Sequence, residues 1–112
     1  MRNEILKFRS WDGLNKKMEF WTLNDLILSE DRPSPLDKWM QSIDLHDQNG
    51  KEIYEGDILE EKFSHCLFQV EYDDCSFKMF DGGNPSDIWD NIENLTIVGN
   101  IYENLELIEK IK

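Results

Sequence analysis

The densest run of metal-capable groups is Asp44-Leu45-His46-Asp47-Gln48-Asn49-Gly50, which gathers carboxylate, imidazole and amide donors in one short stretch. A calcium loop needs a carboxylate at its first and twelfth positions and a glycine at its sixth. Placing Gly50 sixth puts Leu45 first and Gly56 twelfth, so the pattern fails. The remaining reading is a hairpin whose polar residues face water. His65-Cys66 and Asp73-Asp74-Cys75 hold both cysteines and one of the two histidines. Tetrahedral zinc would want two close ligand pairs, and neither Cys-x-x-Cys nor His-x-x-x-His spacing occurs. A thiol nucleophile would need an imidazole within reach, yet neighbours on a strand point to opposite faces, which separates His65 from Cys66 and leaves His46 as the other base. Neither the P-loop nor the dinucleotide glycine pattern is present. Among 24 acids, a carboxylate pair at glycosidase spacing carries no information. No catalytic, metal or cofactor-binding residue is assigned, and no cofactor is expected.

The elements that would position such groups read as short strands. Leu6 and Phe8 alternate with Lys7 and Arg9 up to Asp12-Gly13, and the return strand is Lys17 to Trp21, with Met18 and Phe20 on one face. Thr22 to Glu30 fits either a short helix capped by Thr22 or Asn24, or another strand. Arg32-Pro33-Ser34-Pro35 is a loop, because each proline removes a donor. Trp39 to Leu45 is a strand, and Asn49-Gly50 is the strongest hairpin signal in the chain, since both residues tolerate positive backbone angles. Further strands are expected at Ile58 to Phe63, Leu67 to Tyr72 and Ser76 to Phe80. The last two join at Asp73-Asp74, which would set Cys75 opposite Tyr72. Gly82-Gly83-Asn84-Pro85 marks a turn, and a helix capped near Ser86 and Asp87 would carry Ile88, Ile92 and Leu95, ahead of a strand at Thr96 to Val98. The fold class is therefore mainly β: a single domain, 1–112, of short antiparallel strands, barrel-like (SH3-like) or sandwich-like, with one or two short helical turns.

Length supports one core, and four tryptophans, six phenylalanines and three tyrosines supply area to bury. Trp21, Trp39 and Trp89 are expected in that core, with a homo-oligomer interface as their alternative use. No stretch reaches the roughly eighteen apolar residues of a membrane span, and MRNEILKFRS lacks the apolar segment of a signal peptide. The expected location is the cytoplasm, with Cys66 and Cys75 as free thiols.

Charge is the least ordinary property. The net charge is −12, and it is uneven: residues 1–56 carry 11 acids and 8 bases, whereas residues 57–112 carry 13 acids and 4 bases. Between Phe63 and Glu109 the only cation is Lys78, against ten acids. Such a field repels phosphate, so direct nucleic-acid binding and anionic membranes are disfavoured. The acids are either a solubilising surface or a face for a basic protein partner, with Glu71, Asp73, Asp74, Asp81, Asp87, Asp90 and Glu93 as the candidate residues.

Ile53-Tyr54-Glu55-Gly56 is echoed by Ile101-Tyr102-Glu103-Asn104, and each reads as a strand that stops on a turn. With RNEILKFRSWDGLNKKM at 2–18, WMQSIDLHDQNGKEIYEGDIL at 39–59 and IVGNIYENLELI at 97–108, the chain resembles the YopX family of small phage and prophage proteins. The family's Tyr-Thr-Gly is Ser42-Ile43-Asp44 here, which puts a glycine-dependent turn in question, and its closing proline is Leu105. The resemblance implies a mainly β protein from a mobile element, cytoplasmic in a bacterial host, with no established activity. Its motif residues, Asn49, Gly50, Ile53, Tyr54, Glu55, Gly56, Asp57, Gly99, Asn100, Tyr102, Glu103 and Asn104, read as structural, their acids facing water. The leading expectation is a non-enzymatic accessory protein that binds an unknown protein partner through an acidic surface. The alternative is a nucleic-acid mimic that inhibits a host DNA-binding or restriction enzyme. A third reading is an enzyme using carboxylates or a metal.

Overall fold

Asp12 ends the first strand by folding its carboxylate back over the turn: Oδ1 accepts from the Leu14 and Asn15 amides at 3.0 and 3.2 Å, and Oδ2 from Asn15 Nδ2 at 2.7 Å. These bonds hold the exposed Asp12 carboxyl below its ordinary range. They close a hairpin of β1 (Lys7–Asp12) and β2 (Lys17–Thr22), in which Phe8 faces Trp21 and Trp11 faces Met18. The structure is a computed structural model of the chain and describes residues 6–28, 37–73, 76–82 and 84–111. The loop expected at Arg32–Pro35 lies outside the described residues.

The open choice at Thr22 resolves to a helix, α1 (Leu23–Leu28). Thr22 Oγ1 accepts from the Asp25 amide at 3.2 Å while Asp25 Oδ2 accepts from the Thr22 amide at 2.9 Å, a reciprocal cap that satisfies two donors at the helix start. β3 (Lys38–His46) pairs with β1 over its first half, with Arg9 opposite Met40. Both residues are buried, and Arg9 Nε donates to Met40 Sδ at 3.3 Å. On the other face Trp21 Nε1 donates to the buried Ser10 Oγ at 3.0 Å, and Trp39 meets Phe8 edge-on and Trp21 at a tilt.

Contacts divide the chain into two compact units, residues 1–42 and 43–112, and the boundary falls within β3. In the first unit the strand order is β2-β1-β3, and in the second β4 (Glu52–Tyr54) is the neighbour of the rest of β3. The second sheet has order β8-β7-β6-β5-β9, from β5 (Asp57–Glu61), β6 (Leu67–Asp73), β7 (Ser76–Asp81), β8 (Asn84–Ser86) and β9 (Leu95–Asn100). Both sheets are antiparallel and, among the described residues, neither closes into a barrel, so the chain is mainly β. Ile53, Leu59, Val70, Met79, Ile88 and Leu95 form the buried core, with Ile43 and Leu45 of β3 packed against it. The opposite face of β5 and β6 carries the fully buried Ile58, and α3 (Leu105–Ile111) brings Leu107 within contact of Gly99 on that side. The second sheet thus buries Ile58 on the face away from the core as well, while Gln69, Glu71 and Lys78 keep the β6–β7 part of that face polar.

Several boundaries differ from the sequence reading for local reasons. β5 stops at Glu61 instead of Phe63, because Glu61 Oε1 accepts from the Phe63 and Ser64 amides at 3.0 and 2.7 Å. The β6–β7 register pairs Tyr72 with Phe77, where Cys75 was expected opposite it, and Asp73 with Ser76; Asp74 and Cys75 themselves lie outside the described residues. Pro85, expected in a turn, lies in β8 opposite Phe80, where an edge strand tolerates its missing donor. Ile88 to Leu95 is not one helix. Asp87 Oδ1 caps α2 (Ile88–Asn91) by accepting from the Trp89 amide at 2.9 Å, a 3-10 turn follows at Ile92–Asn94, and Leu95 already belongs to β9.

Asp44 sits inside β3 with φ 61°, a left-handed conformation in a position where the resembling family carries glycine. Asp44→Gly is therefore expected to raise stability by about 0.5–1 kcal/mol, and Asp44→Ala to lower it by about 1 kcal/mol, in chemical denaturation.

Candidate functional site

Asp47 is the hub of the second unit's loop network. It is 5% exposed, and its Oδ1 accepts from the Asn49 and Lys51 amides, both at 2.9 Å, closing the Asn49-Gly50 turn in which Gly50 has φ 84°. Its Oδ2 accepts from the Ile97 amide at 2.9 Å, across fifty residues of sequence. The next residue follows suit, the Gln48 amide donating to the Leu95 carbonyl at 3.0 Å. Sequence reasoning had all polar groups of this hairpin facing water; Gln48 and Asn49 do, and Asp47 does not. A carboxylate two residues before Asn-Gly was the available signal, since such a side chain reaches the turn amides.

Asp57 likewise is buried, 2% exposed, although the motif's acids were expected at the surface. Its Oδ2 accepts from the Tyr54 amide at 2.8 Å, which shapes the Glu55-Gly56 turn, with Gly56 at φ 87°. Glu55 is half-buried. The two echoing segments then meet: the Ile101 amide donates to the Gly56 carbonyl at 3.0 Å, and Asp57 pairs with Asn100 across β5 and β9. They do not share a conformation. Ile53 and Tyr54 lie in β4, whereas Ile101 to Glu103 form a turn after β9. Asn100 Oδ1 holds that turn by accepting from the Tyr102 and Glu103 amides at 2.9 Å each, and its Nδ2 donates to Glu103 Oε1 at 3.0 Å. Asn104 Oδ1 accepts from the Asn100 amide at 3.1 Å, immediately before α3. Gly99 makes room for this: a Cβ there would come within 2.5 Å of Asn104 Oδ1. Leu105 takes the first position of α3 in place of the family's proline.

Asp47 thus holds Asn49 and Gly50, and a second set of backbone and side-chain bonds holds Tyr54, Gly56, Asp57, Asn100, Tyr102, Glu103 and Asn104, with room left by Gly99 and Ile53 buried beside it. Every buried side-chain nitrogen and oxygen among the described residues has a partner.

The cysteine and histidine candidates are dispersed. His46 ends β3, while His65 and Cys66 lie in the β5–β6 loop and not on a strand; His65 has φ 60°, and Cys66 is an exposed free thiol. Among the described residues no three His, Cys, Asp or Glu side chains converge as metal ligands would. In that loop the Ser64 amide and hydroxyl, with the Phe63 amide, pull the exposed Glu61 carboxyl below its ordinary value of 4.5. A depressed carboxylate stabilises the fold above its unfolded value and loses that contribution as pH falls through the folded one. The stability gap between the native chain and Glu61→Gln should hold steady above about pH 5 and close below 4.5, as followed by urea unfolding across pH.

The acidic candidates are spread over the second unit's surface. Glu71 and Asp73 lie on β6, Asp81 at the end of β7, Asp87 before α2, Asp90 in it and Glu93 in the 3-10 turn; all six are exposed, and Asp74 is outside the described residues. Trp89, expected in the core, is 66% exposed in their midst. With Ile88 turned inward, a helix of four residues points its next side chain out. Trp39 is partly exposed as well, at 40%, and Trp21 is half-buried. None of the helices among the described residues is long and apolar enough to cross a membrane.

A family model described as "YopX protein" matches residues 27–109, which takes in the second and third of the three blocks quoted above. Among solved structures, protein EF1440 from Enterococcus faecalis is similar with a TM-score of 0.64 and 24% identity, over 93% of this chain and 98% of that one. At that identity the likeness speaks to the fold. No curated protein matches the chain.

Proposed function

Because the chain belongs to the YopX family, we propose that it is a non-enzymatic accessory protein of a phage or prophage, acting in the bacterial cytoplasm by binding another protein through the acidic surface of its second unit. The observation that carries this reading is Trp89, an exposed tryptophan set among the exposed carboxylates of Asp87, Asp90 and Glu93. Large exposed aromatics anchor interfaces, and a surrounding field of one sign selects a partner of the other. The motif network supports a structural role for the family signature, because its polar groups are spent on one another.

Capture from host lysate at moderate salt should recover a defined protein, and recovery should fall when Trp89→Ala is combined with Asp90→Lys and Glu93→Lys. Undiminished recovery by that variant, or turnover of a metabolite with no protein captured, would count against the proposal.

The second reading is a nucleic-acid mimic that occupies the basic groove of a host DNA-binding or restriction enzyme. It is favoured by the single cation, Lys78, among ten acids between Phe63 and Glu109. Such a complex should weaken steeply with salt and compete with DNA. Salt-independent binding would remove it.

A further inference from the structure

We propose that the edge of β7 at Ser76–Lys78 is a docking site that accepts an extended, basic segment of a partner protein as an added strand, a site that rests on the protein-binding reading above. β8 pairs with only half of β7, placing Ser86 opposite Met79, Pro85 opposite Phe80 and Asn84 opposite Asp81. The chain then leaves the sheet, because Asp87 caps α2. Ser76, Phe77 and Lys78 pair with Asp73, Tyr72 and Glu71 on one side, and among the described residues they have no strand partner on the other. A cavity of about 330 Å³ opens at this step, lined by Ser76, Phe77, Lys78, Pro85, Ser86 and Asp87.

The sheet's other edge is treated differently. On β9 the Ile97 amide is taken by Asp47 and the Leu95 carbonyl by Gln48, so that edge is already engaged. Exposed edges recruit strands unless they are blocked, shortened or charged. The step beside β8 is left open, and peptides that add to such edges gain main-chain hydrogen bonds there and specificity from pockets for alternate side chains.

The lining dictates the occupant. Phe77, stacked edge-on against the exposed Tyr72 at 5.1 Å between centroids, offers apolar contact on one face, and Pro85, opposite Phe80, lies on the other. On the other face Lys78 stands opposite Glu71, which answers its charge, and Asp73 lies beyond. Asp81 and Asp87 add further exposed carboxylates near by. An added strand would thus place apolar residues toward Phe77 and basic residues toward Glu71 and Asp73, in alternation.

The probe is a capped octapeptide alternating lysine with valine, titrated into isotope-labelled protein, with an alternating glutamate and valine peptide as the comparison. Amide shifts are expected at Ser76, Phe77, Lys78 and Ser86, with affinity for the lysine peptide roughly tenfold or more above that for the glutamate peptide. The double variant Glu71→Lys/Asp73→Lys should weaken lysine-peptide binding about tenfold, whereas Lys78→Gln should strengthen it, an opposite change that loss of folding cannot mimic. Absence of binding at millimolar peptide, equal binding of both peptides, shifts centred elsewhere, or a dimer of this chain formed through β7 would each overturn the site. A captured partner whose footprint avoids β7 would overturn the site while the proposed function stood; peptide docking with no cellular protein partner would do the reverse.

Discussion

Asp47→Ala should lower stability by about 3 kcal/mol, a large share of what a domain of this size possesses. The carboxylate accepts three amide hydrogens, two within its own turn and one from Ile97 of β9. Hydrogen bonds to a charged acceptor are stronger than neutral ones, and removal leaves donors to be satisfied elsewhere. Asn49 and Lys51 are exposed, so water can replace part of what their amides lose, whereas Ile97 is half-buried. Asp47→Asn separates the contributions. An amide can still accept at one atom, so the turn survives, but its NH2 group would face the Ile97 amide, donor against donor. The expected loss is about half that of Ala, with hydrogen exchange at Ile97 accelerated while the Lys51 amide remains protected. Urea unfolding and exchange measured by NMR decide both points, and an Ala variant as stable as the native chain would show that Asp47 is dispensable.

Gly99→Ala should cost about 2–3 kcal/mol and loosen α3. The glycine is required by close approach: its added carbon would lie 2.5 Å from Asn104 Oδ1, 2.6 Å from Asn104 Cγ and 2.9 Å from Leu107 Cδ1. The Asn104 side chain is held by the Asn100 amide, so it cannot retreat without releasing the turn that starts the helix. A double-mutant cycle makes the cause visible. Asn104→Ala removes the hydrogen bond but also the obstructing atoms, so Gly99→Ala should cost markedly less in that background. Additive losses would mean that the conflict is with Leu107 alone. Exchange rates along α3 should rise in Gly99→Ala and partly recover in the double variant.

Local signals in this chain are legible where one side chain acts on its own neighbours. Asn49-Gly50 predicts a tight turn because few residues tolerate its backbone, and Gly50 has the positive φ that was expected. Alternation places β1 and β2, and the register sets Met18 and Phe20 on one face of β2 as expected, because strand periodicity needs no partner to be read. Thr22 to Glu30 resisted, since both a cap and a strand fit its composition, and only the reciprocal bond between Thr22 and Asp25 decides the matter.

The candidate acids divide along the same line. Composition alone determined that the second half of the chain is strongly acidic, and the motifs at 39–59 and 97–108 determined the family, because both are properties of residue order. Tertiary structure decided which carboxylates are spent on the fold and which remain exposed. Asp57 looks no different in sequence from Asp73 and Asp81, yet it is buried where β5 pairs with β9 and they are exposed; Asp47 has a local signal in the Asn49-Gly50 turn, but its bond to the Ile97 amide comes from fifty residues away. Trp89 was likewise assigned outward by the pairing of Ile88 with the core, and the open edge at Ser76–Lys78 by β8 ending early. Burial and pairing depend on what arrives from elsewhere in the chain, and the strand order that governs those arrivals is written in no single segment.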